Sequence, residues 1–400
     1  MCSRNLIRSI LISCVALSCL ISGAQAAPLF ERPAGLEQDV DFWRRVFTEI
    51  DTHQAFLHDS RHLGVIYEVV QVPENATQSI RRRIADLARE RFKKSLQRIV
   101  KSNRASLDIA DQRVLDLWPE DITNAELKEA AKRIRFQGGL ADRFLEGLQR
   151  SGAWKPHINT ELARYGVPLE LAVLPHVESS FNPEARSHVG ASGLWQFTRL
   201  TGKRFMQVDH VVDERRDPFL SSTAAAKLLA DNYSKLESWS LAITAYNHGV
   251  GGMKRAVKKI GSADISRINK EYEGRSFGFA SRNFYVAFLA ALEVEQSARK
   301  YFGDFETNTP ETLLVVHLQN YVPVATLIDA LNISADVLKQ YNPALLDSIW
   351  QGNKYVPKGY ALRIPSSVVA NEEQQIFAVI PKTQQYARQL PDRYHKVRRG

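Results

Sequence analysis

The feature that most constrains the fold is an apolar stripe at helical spacing. Ile80, Ile84, Leu87, Phe92, Leu96 and Ile99 recur every three to five residues, with Val100 beside the last. One face of a long helix therefore carries them and must be covered by another element. Asn75 or Thr77 stands where it would cap the start. Arg81, Arg82, Arg83, Lys93 and Lys94 lie off the stripe. That face reads either as an ordinary solvated surface, the commoner case, or as a basic patch for an acidic polymer. The same spacing runs through Val40, Trp43, Val46, Phe47 and Ile50, and again through residues 124–151. A short β-like run at 64–70 ends at Pro73. The pattern predicts a mainly α chain.

Gly166-Val167-Pro168 opens a further helix, with Pro168 suited to its first turn. Leu171, Leu174 and Glu178 share a face by the i, i+3, i+7 rule, so Glu178 extends an apolar stripe. Pro175 is expected to bend this helix near the carboxylate. Gly190 and Gly193 predict a tight turn that returns Trp195 and Gln196 over Glu178. Ser222 or Thr223 is expected to cap a helix of small residues at 224–226, after a polar loop ending at Asp217-Pro218. Ser238 caps the next, where Trp239, Ala242 and Tyr246 share a face, and Gly249 ends it. The glycine-rich run at 248–252 follows a helix and reads as a stop, not a phosphate nest. Another helix covers 282–300.

After Gly303 the character changes. Residues 314–318 are strand-like, 324–331 and 335–341 are short helices, and 360–365 close with a strand. This β-α-α-β unit is expected to be a separate module.

The length of 400 residues suits two or three domains, and the net charge of +9 favours a polyanionic partner: nucleic acid, anionic membrane or acidic wall polymer. No dense Lys/Arg block with interleaved aromatics is present, so nucleic acid is not an expected partner. His58 and His62 stand four apart with Asp59 and His53 close by. A helix would set the two imidazoles side by side for a metal, but with no third ligand the pattern predicts ordinary surface histidines, no metal and no cofactor. Arg4, Arg8, an apolar run at 10–21 and Ala24-Gln25-Ala26 form a signal-peptide pattern over 1–26, with an uncleaved anchor as the rival. Export to the periplasm or cell envelope follows, with outer-membrane association open. All three cysteines, Cys2, Cys14 and Cys19, lie in that segment, so the mature chain is expected to have no disulfide. Leu11-Ile12-Ser13-Cys14 resembles a lipoprotein cleavage box, although the residues after it stay apolar.

A glycosidic bond needs a proton on its leaving oxygen, and a carboxylic acid supplies it near neutral pH only if an apolar setting raises its pKa. Glu178, with Leu174, Phe181 and Trp195 near in sequence, fits that need. A solvated Glu at a helix end fits the spacing equally. Tyr246-Asn247 at a helix end offer a hydroxyl and an amide for sugar hydroxyls or an N-acetyl group. Gly190-Ala191-Ser192-Gly193 is not a nucleophile elbow, since Leu194 stands where the second glycine is required.

Three ordered motifs carry a resemblance: Glu178-Ser179-Ser180-Phe181-Asn182-Pro183, Gly193-Leu194-Trp195-Gln196-Phe197 and Ala245-Tyr246-Asn247-His248-Gly249, with Asn283-Phe284-Tyr285-Val286 as a fourth. The set resembles the soluble-lytic-transglycosylase (SLT) domain of the membrane-bound lytic murein transglycosylase D type, over residues 130–303. The resemblance implies a lysozyme-like helical fold acting on peptidoglycan glycan strands. It implies that Glu178 is the single catalytic acid/base and that Ser187, Gln196, Tyr246, Asn247 and Tyr285 bind substrate. Trp195 stands where many such domains have methionine. The β-α-α-β unit at 311–366 resembles a degenerate LysM repeat through Asn342-Pro343-Ala344-Leu345 and Leu362-Arg363-Ile364-Pro365. Tyr321-Val322-Pro323-Val324 replaces the usual Gly-Asp-Thr-Leu, and glycan binding and a packing role both stay open. Residues 27–129 are then an N-terminal helical region, 367–393 a linker, and 394–400 the start of a truncated second LysM repeat.

The implied reaction cleaves the β-1,4 bond between N-acetylmuramic acid and N-acetylglucosamine, with formation of a 1,6-anhydro ring. Paired-carboxylate glycosidases need a second acid, and Glu170, Glu184, Asp213 and Asp217 lie near in sequence but in no matching motif. A hydrolase of goose-lysozyme type and a non-catalytic peptidoglycan-binding protein are the rival readings.

Overall fold

The N-terminal part is built round a three-stranded antiparallel sheet of order β2-β1-β3. Helix α1 (Glu37–Thr48) leads into β1 (Gln54–Asp59) and β2 (Ile66–Gln71). Helix α2 (Gln78–Lys101) follows, capped by Thr77, whose Oγ1 accepts from the Ile80 amide at 3.3 Å. After α3 (Ile109–Leu115) and α4 (Asn124–Ala130), strand β3 (Ile134–Gly138) returns to pair with β1, setting Phe56 opposite Gln137. Strand β1 is buried on both faces. Phe56 and His58 pack against Phe42 of α1, while Leu57 joins Leu96 and Ile99 of α2 in a core cluster. Pairing of β3 with β1 interrupts what the sequence presents as one helical pattern over 124–151. Long-range strand pairing overrides local propensity here. The chain can turn away because Gly139 lies against the carbonyls of Ile50 and Asp51, where a Cβ would approach to 2.3 Å.

The structure, a computed structural model, describes residues 29–367 and 379–392. The expected signal peptide at 1–26, its cysteines, part of the expected linker and residues 394–400 lie outside the described residues. The chain divides into two units at Glu31, and every helix and strand named lies in the second. None of the described helices is long and apolar enough to cross a membrane.

His58 and His62 do not share a helix face, because His58 lies in β1 and His62 in the turn after it. His62 is exposed, as expected of a surface histidine, and His58 is not. His58 is fully buried, its Nδ1 is 2.9 Å from the Asp59 carbonyl, and burial pushes its pKa down to about 4. His62 packs edge-on against Trp118.

The helical part continues with α5 (Ala141–Arg164), a 3-10 turn (Leu169–Val173), α6 (Leu174–Ser179), α7 (Arg199–Gly202), α8 (Pro218–Leu236), α9 (Trp239–His248), α10 (Val250–Ile260), α11 (Ile265–Glu271), α12 (Phe279–Gln296) and α13 (Ala298–Phe302). Helix α12 is buried nearly all round and packs on α1, α6 and α9. That makes it the central helix of this layer. Three local expectations change. Pro175 does not bend a helix, because α6 starts at Leu174 and the proline sits in its first turn, where no amide is needed. Helix α8 is capped by Asp217, which accepts from the amides of Phe219 and Leu220, and not by Ser222 or Thr223. Gly249 ends α9 as expected and also opens α10, so the glycine-rich run belongs to a helix start as well.

The C-terminal unit has the predicted β-α-α-β order: β4 (Leu313–His317), α14 (Val324–Leu331), α15 (Ala335–Tyr341), a short α16 (Asp347–Trp350) and β5 (Ala361–Pro365), with β4 antiparallel to β5. It does not keep a core to itself. Val211 and Val212, from the loop before α8, join its apolar cluster. The amide of Leu346 donates to the Val211 carbonyl at 3.0 Å and that of Asp213 to the Ala344 carbonyl at 2.8 Å. The described end of the expected linker also packs on the unit. Ile380 is buried in the same cluster, and Tyr386 exchanges two main-chain hydrogen bonds with Tyr321 and stacks on Tyr355.

Candidate active site

Glu178 sits one residue before the end of α6, and the way that helix stops decides where its carboxyl goes. Ser180 and Phe181 both take left-handed backbone, with φ of 52° and 54°. The Phe181 amide turns back to the Pro175 carbonyl at 3.1 Å and that of Ser180 to His176 at 3.3 Å. Two consecutive non-glycine residues in this region are costly and persist only where surroundings enforce them. Phe181 is fully buried, and the Arg150 guanidinium holds the Ser180 carbonyl at 2.8 and 3.1 Å. Beneath α6, buried His176 stacks on Phe144 and its Nε2 lies 3.1 Å from Glu295.

The loop after α6 is locked onto the same place. Ser179 Oγ donates to the Leu194 carbonyl at 2.7 Å. The Gly193 amide donates to Ala185 at 3.0 Å, and the Arg215 Nη1 donates to the carbonyls of Gly190 and Phe197. Arg215 is itself paired with Asp213, both buried. Trp195 does not line the cavity that holds Glu178. It is wholly inside, with Nε1 donating to Ser222 Oγ at 2.9 Å. The indole lies in the core, and the Tyr246 hydroxyl donates to the Trp195 carbonyl at 2.8 Å.

A cavity of about 280 Å³ opens onto Glu178. Its walls come from three parts of the chain: Trp43 and Phe47 of α1, Arg135 and Gln137 of β3, and Asn247, Phe279, Asn283 and Phe284 of the helical part. Among the described residues lining it, Glu178 is the one carboxylate. Burial pushes its pKa up to about 8. Tyr246 is raised well above its ordinary value, chiefly by burial and further by the Glu178 charge.

The remaining sequence candidates divide. Asn247 lines the cavity, and Ser281 Oγ donates to its Oδ1 at 2.7 Å. Ser187 and Gln196 belong to the turn. Ser187 Oγ accepts from the Ala191 amide at 3.0 Å, and Gln196 Nε2 donates to the carbonyls of Ala185 and Gly193. Tyr285 is buried beside Phe288, with its pKa pushed up to about 12 by burial. Glu170 and Glu184 do not line the cavity, Asp213 pairs with Arg215, and Asp217 caps α8.

Residues 156–269 match the transglycosylase SLT domain. The chain carries an SLT domain. Its match includes Glu178, the turn at 190–197 and Tyr246-Asn247, and ends before Tyr285. The chain is 29% identical over 268 residues to membrane-bound lytic murein transglycosylase D of Escherichia coli, covering 64% of this chain and 56% of that protein. It thus spans little more than half of that relative. Over 104 residues it is 36% identical to the peptidoglycan transglycosylase of Escherichia phage T7, covering 25% of this chain and 8% of that one. The 70 kDa soluble lytic transglycosylase of Escherichia coli aligns at 19% identity with a TM-score of 0.32, over 58% of this chain and 38% of that chain.

Trp43, Phe47, Arg135 and Phe279 line the cavity and stand in none of the sequence motifs, while Asn283 opens the fourth. Trp43 and Phe47 looked like plain core at i, i+4, and they lie outside the SLT match. Trp43 Nε1 donates to Asn283 Oδ1 at 3.2 Å, and the Arg135 guanidinium lies 4.0 Å from the Phe279 ring centre. Nothing local in the sequence signals these pairings.

Proposed function

We propose that the chain is a peptidoglycan lytic transglycosylase in which Glu178 is the sole acid/base. The observation that carries this reading is one carboxyl in an otherwise carboxylate-free cavity, with its pKa pushed up to about 8. Near neutral pH that carboxyl holds a proton to give. It protonates the oxygen between N-acetylmuramic acid and N-acetylglucosamine, and the bond breaks through an oxocarbenium-like state. The carboxylate then takes the proton of the muramyl 6-hydroxyl as that oxygen closes the 1,6-anhydro ring, which restores the acid. With no second carboxylate in the cavity to activate water or attack the sugar, an internal hydroxyl is the nucleophile that fits. Asn247 and Tyr246 act on the bound glycan beside Glu178. Gln196 and Ser187 hold the turn that shapes this wall, and Tyr285 supports it from the core. The substrate places the protein in the cell envelope, and membrane association fits the name of the E. coli relative.

Purified wall digested by the protein and by Glu178→Gln tests the reading. Wild type should release muropeptides one water lighter than hydrolytic products by mass spectrometry. The variant, folded by circular dichroism, should lose at least about 10²-fold in rate, the low end of general-acid catalysis. Products with a reducing end would make the enzyme a hydrolase, and full activity in the variant would remove Glu178 from its role.

A further inference from the structure

The cavity that holds Glu178 carries one cation among its described lining residues, Arg135 of β3. The strand fixes which way that side chain goes, because successive residues of a strand face opposite sides. Phe136 packs with the core cluster of α2, and Arg135 and Gln137 line the cavity on the other face. There the Arg135 guanidinium lies 4.0 Å from the centre of the Phe279 ring, itself part of the cavity wall. Pairing with His58 in β1 holds the backbone beneath it.

No carboxylate offsets this charge. Arg133, two residues earlier, pairs with Asp59. For Arg135, burial lowers the pKa and the nearby Arg89 lowers it further, with no acid acting the other way. Glu178 does not neutralise it either. With its pKa pushed up to about 8, that carboxyl is mostly protonated near neutral pH. The cavity walls therefore carry a net positive charge, on a residue that stays exposed. A guanidinium has five N–H donors in one plane, a geometry that matches a carboxylate. An uncompensated cation in a cleft draws an anionic ligand.

The substrate read for Glu178 offers one source of that anion. Its N-acetylated sugar backbone is neutral where the lactyl carboxyl of N-acetylmuramic acid is taken up as an amide by the peptide stem. The stem's own carboxylates carry the charge, and the stem branches from the ring whose bond is cleaved. We propose that Arg135 holds a carboxylate of this peptide stem and so selects muramyl residues that bear one. The proposal rests on the peptidoglycan reading. It adds a subsite from outside the SLT match, which starts at residue 156.

Calorimetric titration tests it, with the full chain carrying Glu178→Gln so that bound glycan is not turned over. The probes are a soluble peptide-bearing glycan chain and the same chain with every stem carboxylate converted to its amide. Amidation should weaken binding at least about tenfold. Adding Arg135→Gln, folded by circular dichroism, should weaken the native chain by a similar factor and leave the amidated chain unchanged. Arg135→Met, which keeps an apolar stem over Phe279, gives the same comparison if the first variant fails to fold. Arg135→Lys should keep part of the preference, and Lys203→Ala, exposed at the end of α7, all of it. Native and amidated chains bound equally well, a preference retained in folded Arg135→Gln, or equal weakening of both chains by it would each overturn the proposal. Binding of neither chain would overturn the peptidoglycan reading as well, whereas cleavage by the Glu178→Gln protein counts against Glu178 alone.

Discussion

The hydroxyl of Tyr246 donates to the main-chain carbonyl of Trp195 at 2.8 Å, so the end of α9 is tied to the glycine turn beside Glu178. Its proton is committed to that carbonyl. Tyr246→Phe leaves the Trp195 carbonyl without this donor, a loss of about 1–3 kcal/mol where the group is buried. We expect a lower urea midpoint at unchanged m-value, and a fall in wall-cleaving rate larger than the change in substrate affinity. A variant as stable and active as wild type would show that the bond positions nothing.

Glu178 makes stability depend on pH. Its folded pKa of about 8 lies above the ordinary glutamate value of 4.5 that the unfolded chain has. Between those values the folded chain holds a proton that the unfolded chain has released. The contribution of Glu178 to stability therefore falls as pH rises from about 4.5 to 8 and is level outside that window, with a slope of about 1.4 kcal/mol for each pH unit inside it. Glu178→Gln removes the penalty. The variant should melt higher than wild type at pH 8, with the gap closing towards pH 5. Parallel melting curves at all pH values would place the carboxyl in water. Cleavage by the wild type should also decline above about pH 8 as the acid form is lost.

Gly193 has φ of +82°, and a Cβ there would meet the Arg215 carbonyl at 1.8 Å. Neither the backbone nor a flexible side chain can yield that space. Gly193→Ala should cost more than about 3 kcal/mol, since left-handed strain adds about 1–3 to a main-chain clash. Loss of cooperative thermal unfolding or of soluble expression is the expected readout. Gly261→Ala serves as comparison: φ is +68° but nothing lies within 4 Å, so only the backbone strain remains.

Arg363 of β5 pairs with Asp217, the cap of α8, in a buried contact, and its guanidinium lies 4.7 Å from the Phe219 ring centre. Removing one member of a buried pair strands the other charge, at about 3–5 kcal/mol. Arg363→Ala should lower the melting temperature of both the C-terminal unit and the helical part together. Separate transitions, with the second unmoved, would mean that the two unfold independently.

Much of the helical layer was legible because its helices are long and their stripes regular, as in α2, where Thr77 stands just before the periodic run. The β-α-α-β order was legible from its change of period. The sheet was not. Strand β1 is buried on both faces and carries His58 and Asp59, so it shows no alternation of apolar and polar residues. The histidine spacing misled because a spacing of four means a shared face only on a helix.

What the sequence alone determined is the chemistry on offer: Glu178 at a helix end, a turn that needs Gly193, and Tyr246-Asn247 one helix away. These are local patterns, set by a few adjacent residues and by side-chain type. Only the tertiary structure decided the environment of the carboxyl. A pKa pushed up to about 8 arises from burial, and the cavity walls include Trp43, Arg135 and Phe279, far apart in the chain. The same folding sent Trp195 inward and joined the C-terminal unit to the loop before α8 through Val211, Val212 and Asp217. Desolvation and packing depend on what surrounds a group in space, and one-dimensional spacing does not encode that for distant segments.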